Sequence, residues 1–186
     1  MMDPSAFLIG KRIYLRPFER DDLDHIRKWY NDPELRGKIC VTEPYNMAKA
    51  EQWFEDICKD EQRIWFAIAL KEDNAVIGEC GLLRMFHAWK TTDLTMIIGE
   101  RDAQGKGYGS EAMQLLLNYA FGYLGFHRVA VGVAGFNEDA VRFYEKNGFR
   151  REGIQREGYY YNHKYHDFVM MSVLEDEYRE NMHEKR

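Results

Sequence analysis

The stretch Gln104-Gly105-Lys106-Gly107-Tyr108-Gly109-Ser110 sets glycine at alternate positions directly ahead of a strongly amphipathic run. Alternating glycines let a backbone turn sharply and aim successive N–H groups at one point. A helix starting there adds its unpaired first-turn amides and the positive end of its dipole. The chemistry on offer is the cradling of a pyrophosphate. Two nucleotide loops are excluded by counting. A Walker A loop has four residues between its first glycine and the Gly-Lys-Ser/Thr, whereas Gly99 to Gly105 encloses five and Gly107 follows Lys106. A dinucleotide fingerprint begun at Gly105 needs Gly or Ala at 110, where Ser stands. A glycine turn serving the fold alone stays open.

Asn137 and Tyr144 lie seven residues apart, two turns along one face of the segment Asn137-Glu138-Asp139-Ala140-Val141-Arg142-Phe143-Tyr144-Glu145-Lys146-Asn147-Gly148-Phe149. Read plainly, Asn137 is a helix N-cap and Tyr144 a half-buried packing residue. Tyr144 is also a phenol able to give up a proton. Carboxylates near strand ends are candidate proton acceptors: Glu79, Asp93 and Glu100. Glu79 is favoured because it interrupts an otherwise apolar strand (Val76, Ile77, Gly78, Cys80, Leu82). An ordinary solvated carboxylate is the plainer reading of each. His87 and His127 sit in no motif, and no cysteine has a His/Asp partner suggestive of a nucleophile.

The elements that must position these residues follow from periodicity. Lys11 to Pro17 alternates as a first strand, Ile13 and Leu15 against Arg12, Tyr14 and Arg16. Asp21 or Asp22 caps a helix carrying Leu23, Ile26, Trp29 and Tyr30, closed before Pro33. Asn46 opens a second helix through Ile57. Ile64 to Leu70 reads as a central buried strand, Glu72-Asp73-Asn74 as a turn, and Ala75 to Leu83 as the hairpin partner. Thr91 to Ile98 is a strand leading into the glycine loop. The following helix presents Met113, Leu116, Leu117, Ala120, Phe121 and Leu124. Val129 to Val133 is a strand, Asn137 opens a helix ended by Gly148, and Asp167 to Val173 alternates again. The expected order is β-α-α-β-β-β-α-β-α-β-β: a mixed, mainly antiparallel α/β sheet of six to seven strands flanked by helices. Each of the two later β-α-β crossings implies a parallel pair.

The chain of 186 residues, 45% hydrophobic and 15% aromatic, reads as one domain with a core over about 11–174 and a polar tail from 175 to 186. Its 26 basic and 31 acidic residues, a net −5, argue against a nucleic-acid-coating or membrane-surface protein. No run approaches ~18 apolar residues, so no bilayer span is expected. The start Met1-Met2-Asp3-Pro4-Ser5 lacks the form of a secretory signal. Cys40, Cys58 and Cys80, isolated and odd in number, read as buried thiols of a cytoplasmic protein and hold no metal.

The two strings together, in this order and about 30 residues apart, resemble the GCN5-related N-acetyltransferase family. Gln104, Gly107 and Gly109 match its acetyl-CoA signature, Gln/Arg-x-x-Gly-x-Gly/Ala. Asn137, Ala140, Tyr144, Lys146, Gly148 and Phe149 match its Asn-x-x-Ala-x-x-x-Tyr-x-Lys-x-Gly-Phe segment. The likeness runs from Ile13-Tyr14-Leu15-Arg16-Pro17 to about Glu177. Gly107-Tyr108-Gly109-Ser110-Glu111-Ala112 and Arg151-Glu152-Gly153 are most similar to the branch of ribosomal-protein alanine and spermidine acetyltransferases. The resemblance implies acetyl-CoA in a V between splayed parallel strands. Its pantetheine would pair with backbone at Ile97, Ile98 and Gly99, its pyrophosphate would meet the amides of Gln104, Gly105, Lys106, Gly107, Tyr108, Gly109 and Ser110, and Asn137 would bind the pantetheine arm. A neutral primary amine would attack the thioester directly, with Tyr144 protonating the leaving thiolate and Glu79 as base.

The acceptor would lie between Asp32 to Asn46 and a late hairpin bearing Tyr159, Tyr160, Tyr161, Tyr165, His163 and His166. Acids such as Glu34 or Glu157 beside those rings suit a cation, while a homodimer interface is another use for them. A peptide N-terminus, a polyamine and an amino sugar are the acceptor classes. A non-catalytic acyl-CoA-binding module is the rival from another class.

Overall fold

The computed structural model describes residues 3–184. Met1 and Met2, where a signal was looked for, and Lys185 and Arg186 of the polar tail lie outside the described residues. Eight strands join one mixed, mostly antiparallel sheet in the order β1-β2-β3-β4-β5-β6-β8-β7: β1 Leu8–Ile9, β2 Ile13–Pro17, β3 Ile64–Leu70, β4 Val76–Phe86, β5 Thr91–Ile98, β6 Arg128–Ala134, β7 Arg150–Tyr161 and β8 Lys164–Leu174. Six α-helices accompany them: α1 Leu23–Asn31, α2 Pro33–Arg36, α3 Met47–Lys59, α4 Tyr108–Asn118, α5 Glu138–Lys146 and α6 Glu175–Glu184. The chain gathers into two compact units, Met1–Arg84 with Thr95–Leu116, and Met85–Leu94 with Leu117–Arg186.

In the first unit β2, β3 and β4 form an antiparallel meander, with Ile13 opposite Leu70, Arg16 opposite Ala67 and Ile68 opposite Gly78. The apolar stripe of α1 (Leu23, Ile26, Trp29, Tyr30) meets Ala50 of α3 and Ala67, Val76 and Ile97 of the sheet in one core cluster. Asn46 caps α3 as its position suggests, its side chain accepting the Lys49 N–H.

The expected alternation in β2 is not what folds. Tyr14 and Arg16 are as buried as Ile13 and Leu15. Tyr14 is accommodated by a hydrogen bond from its hydroxyl to Asn74. Arg16 meets Asp22 through two bonds of 2.6 and 2.7 Å. Asp22 is therefore not the side-chain cap of α1. Its carboxylate also accepts the Glu19 N–H, closing a capping box around the 3₁₀ turn Arg20–Asp22. A buried cation demands a partner more strongly than a helix end demands a cap. Pro33 starts a helix as well as ending one: α2 is capped by Asp32, which accepts the N–H groups of Glu34 and Leu35.

In the second unit β6 pairs parallel with β5 over three residues only, Thr91 to Asp93 against Arg128 to Ala130. On its other side β6 pairs antiparallel with β8 along its whole length, Arg128↔Leu174 to Ala134↔Phe168. The first β-α-β crossing thus gives the expected parallel pair and the second does not, because β8 lies between β6 and β7. The reason is the β7-β8 hairpin, folded tightly at Asn162-His163, both with positive φ. The helix after the glycine loop also differs in its last turn, which widens to a π turn over Tyr119–Tyr123. Strand β1 and helix α2 are too short to show a period, and the tail forms α6, its first turn tied by Glu177 accepting the Leu174 N–H. Of the cysteines only Cys80 is buried; Cys40 and Cys58 are exposed, so the expectation of three core thiols is corrected.

Because Arg16 is sealed in with Asp22, Asp22→Ala leaves a buried cation whose remaining carboxylate contact among the described residues is the longer one of its Nε to Asp3 at 3.4 Å. The variant should lose about 3–5 kcal/mol in urea unfolding, and a loss under about 1 kcal/mol would show that the pair behaves as a surface bridge.

Candidate active site

The strand that delivers the glycine loop is seated on α1. Gly99 follows β5 with the Trp29 indole flat against it, so that any Cβ at 99 would overlap the ring. The Trp29 Nε1–H donates to Glu100 at 3.0 Å, and Lys28 pairs with the same carboxylate at 2.7 Å. Burial works to raise the Glu100 carboxyl, and the Lys28 and Trp29 donors outweigh it, holding it below its ordinary value. Glu100 is thus committed to a structural ion pair. The N–H groups of Gly99 and Glu100 both donate to the Ile77 carbonyl, and the Ile98 carbonyl accepts Gln104 Nε2–H at 2.9 Å.

Gln104 therefore folds its side chain back onto the end of β5 and closes the loop. Gly105 and Gly107 follow with φ of +72° and +84°, a conformation that L side chains resist. Helix α4 starts at Tyr108, and the Glu111 N–H donating to the Gly107 carbonyl is its first backbone bond. The amides ahead of Glu111 precede any carbonyl that α4 could offer them, which is the condition for an anion site. The loop is also held from outside by a residue the motif does not contain. Arg12 donates from Nη1 to the Lys106 carbonyl at 2.9 Å, pairs with Glu111 through Nε at 3.1 Å, and lies 4.6 Å from the centre of the Tyr108 ring. Its partners lie more than ninety positions away, so its sequence shows only an alternating polar residue.

Glu79 is not a solvated carboxylate. It is fully buried on β4, accepting from the Tyr30 hydroxyl at 2.6 Å and from Trp65 Nε1–H at 2.8 Å. Burial pushes its carboxyl up to about 7, against the two donors that favour the charged form. The Tyr30 hydroxyl is driven well upward by burial and by Glu79. Tyr45 and Trp53 pack edge-on against Tyr30 at 4.9 and 6.3 Å, and Trp65 against Trp53 at 5.3 Å. The remaining candidate, Asp93, is half-buried on β5 within the stretch paired to β6.

In the second unit Asn137 does cap α5, its side-chain oxygen accepting the Ala140 N–H at 3.4 Å. Two turns on, Tyr144 has its ring 6% exposed, packed edge-on between Phe143 and Phe149, each at 5.3 Å. Its hydroxyl has no hydrogen-bond partner among the described residues. Burial pushes the phenol upward, so it keeps its proton at neutral pH.

A family model described as "Acetyltransferase (GNAT) domain" matches residues 12–150. The chain belongs to the GNAT acetyltransferase family. It is 29% identical over 174 residues to "Uncharacterized N-acetyltransferase p20" of Bacillus licheniformis, covering 92% of this chain and 97% of that protein. It is 28% identical over 171 residues to the spermidine N(1)-acetyltransferase of Vibrio cholerae, covering 91% and 97%. The crystal structure of the Vibrio cholerae spermidine N-acetyltransferase in complex with CoA and spermine superposes with a TM-score of 0.84 at 27% identity, covering 90% and 98%.

In this GNAT acetyltransferase part of the set of acids and rings read as an acceptor wall is already paired or packed. Asp32 and Glu34 both pair with Arg101, at 3.0 and 3.2 Å. In the hairpin Tyr159 is buried and stacks on Tyr161, Phe136 and Phe168. Tyr160 and Tyr165 face outward, 56% and 66% exposed, their rings 5.1 Å apart. Among the described residues no helix is long and apolar enough to cross a membrane.

The raised Glu79 carboxyl carries a sign. Between its ordinary value of 4.5 and about 7 the folded acetyltransferase binds a proton that the unfolded chain has released, so Glu79 costs stability progressively as pH rises through that window. Glu79→Gln should therefore gain on wild type by roughly 2–4 kcal/mol between about pH 5 and pH 8. Urea titrations of both proteins across that range check this, and a constant difference would mean that the carboxyl ionises normally.

Proposed function

We propose that this acetyltransferase uses acetyl-CoA as co-substrate and delivers the acetyl group to a primary amine, either a protein N-terminus or a small amine, with one domain spanning residues 1–186 and a cytoplasmic setting. The observation that carries the reading is the loop Gln104–Ser110: two left-handed glycines opening directly onto the first turn of α4. The amides of Gly105 to Gly109 are suited to the pyrophosphate, whereas the Gln104 N–H already donates to the Arg101 carbonyl. Ile97 and Ile98, on the part of β5 beyond its pairing with β6, and Gly99 just after the strand would border the pantetheine arm, and Asn137 would bind that arm.

The chain's own residues then supply the proton chemistry. Glu79, poised by burial near neutral pH, takes the proton that the ammonium must lose, through the Tyr30 hydroxyl that already donates to it. The freed amine nitrogen bonds to the thioester carbonyl carbon, the carbon–sulfur bond breaks, and the nitrogen passes its second proton to solvent to leave the neutral amide. The departing sulfur takes its proton from Tyr144, a phenol kept protonated by its apolar surroundings and with no competing partner for its hydroxyl among the described residues. Solvent then reprotonates Tyr144 and takes up the proton from Glu79.

A polyamine acceptor is the second reading, supported by the relatives whose names carry spermidine and by the neighbour crystallised with spermine. Release of free CoA thiol against spermidine, spermine, Ala- and Ser-starting peptides, an aminoglycoside and amino sugars separates the classes. Turnover confined to the polyamines would select the second reading, and turnover confined to peptides would reject it.

Tyr144→Phe should lower kcat by about 10²–10⁴ while leaving acetyl-CoA affinity within about twofold. Unchanged turnover would remove Tyr144 as the acid. Glu79→Gln should abolish a limb of the kcat/KM profile with an apparent pKa near 7; a profile identical to wild type would remove Glu79 as the base. A non-catalytic acyl-CoA-binding module would bind acetyl-CoA with no turnover on any amine, and Tyr144→Phe would cost it nothing.

A further inference from the structure

A loop built from left-handed glycines has little intrinsic preference for one shape, because glycine gives up more conformational freedom on ordering than any other residue. Contacts that can give Gly105–Gly107 its shape come from Arg12, whose guanidinium donates to the Lys106 carbonyl. The guanidinium is fixed on three sides: Nε on Glu111, Nη1 on the Lys106 carbonyl, and its face over the Tyr108 ring. Glu111 also accepts the backbone N–H groups of Arg12 at 2.7 Å and Ile13 at 3.3 Å, so the start of β2 and the first turn of α4 are joined through one carboxylate. Nη2 lies 3.3 Å from the point a Cβ at Gly107 would occupy, with no acceptor among the described residues.

We infer that Arg12 is a positioning residue for the co-substrate: with Glu111 it holds Lys106 and Gly107 in the shape that turns the loop amides toward the pyrophosphate. The inference rests on the reading of Gln104–Ser110 as the acetyl-CoA cradle. Arg12 is half exposed (side chain 50%) while Glu111 is only 14% exposed, and removing the solvated partner of such a pair costs little global stability. The consequence of its three directed contacts is therefore local loop geometry. Lysine would restore the charge without the planar fork that serves Glu111 and the Lys106 carbonyl together.

The test is the dissociation constant of acetyl-CoA and of acetyl-pantetheine, which lacks the pyrophosphate, measured calorimetrically on the full chain. Wild type should bind acetyl-CoA far more tightly. Arg12→Ala should weaken acetyl-CoA about tenfold and leave acetyl-pantetheine unchanged, with a melting temperature within about 3 °C of wild type. Arg12→Lys should recover only a small part of the loss, and Glu111→Gln should show the same selectivity, so that the inference stays testable if Arg12→Ala folds poorly. Equal weakening of both ligands, no weakening, or full recovery by lysine would overturn the positioning role alone. A wild type that does not distinguish the two ligands would overturn the cradle reading, and the inference with it.

Discussion

Backbone amides that are to bind an anion cannot also be spent on holding their own loop in place. As the proposed cradle, Gly105 to Gly109 has to leave its N–H groups to the anion while adopting left-handed backbone at two residues, so its shape has to be imposed by side chains from elsewhere. Gln104 reaches back to the Ile98 carbonyl, Arg12 reaches across to the Lys106 carbonyl, and Glu111 anchors Arg12 to the helix that the loop opens. The end of β5 is in turn pressed onto α1 by Trp29 lying on Gly99. Much of the first unit is the scaffolding that this one constraint requires.

The second theme is charge taken out of water. Arg16 and Asp22 neutralise each other in a bidentate pair beneath α1. Among the described residues Glu79 has no cation beside it, only two neutral donors, and its carboxyl is pushed up accordingly. These are different solutions with different consequences. A matched pair is electrically inert across ordinary pH, whereas a carboxyl held by Tyr30 and Trp65 can gain and lose a proton near neutrality. A folded chain keeps an unmatched buried acid at a cost in stability, which accords with the proton-accepting role proposed for Glu79.

Legibility followed the range of the interaction. The amphipathic faces of α1, α3, α4 and α5, the Asn46 and Asn137 caps, and the glycine loop were all readable, because each depends on neighbours within a few residues. Glu79 could be singled out as a carboxylate interrupting an apolar strand, but its donors could not, since Tyr30 and Trp65 come from two other elements. Asp22 shows the opposite failure: its local signal was that of a helix cap, and a buried arginine six residues earlier outbid the helix end. Tyr14 and Arg16 were read as one polar face because alternation is blind to whether a strand is covered on both sides. The insertion of β8 between β6 and β7 had no local sign.

The sequence by itself determined the helical periods, the Asn46 and Asn137 caps, the glycine loop and the phased Asn137 and Tyr144, and with them the family resemblance, because these are properties of short stretches of chain. Only the tertiary structure decided that Arg12 serves the glycine loop, that Glu79 is sealed with two donors and titrates near 7, that Glu100 and the Asp32–Glu34 acids are already paired, and that Tyr159 packs while Tyr160 and Tyr165 face solvent. Burial and pairing are set by what the folded chain brings alongside a residue, and a residue's type and its immediate neighbours do not contain that information.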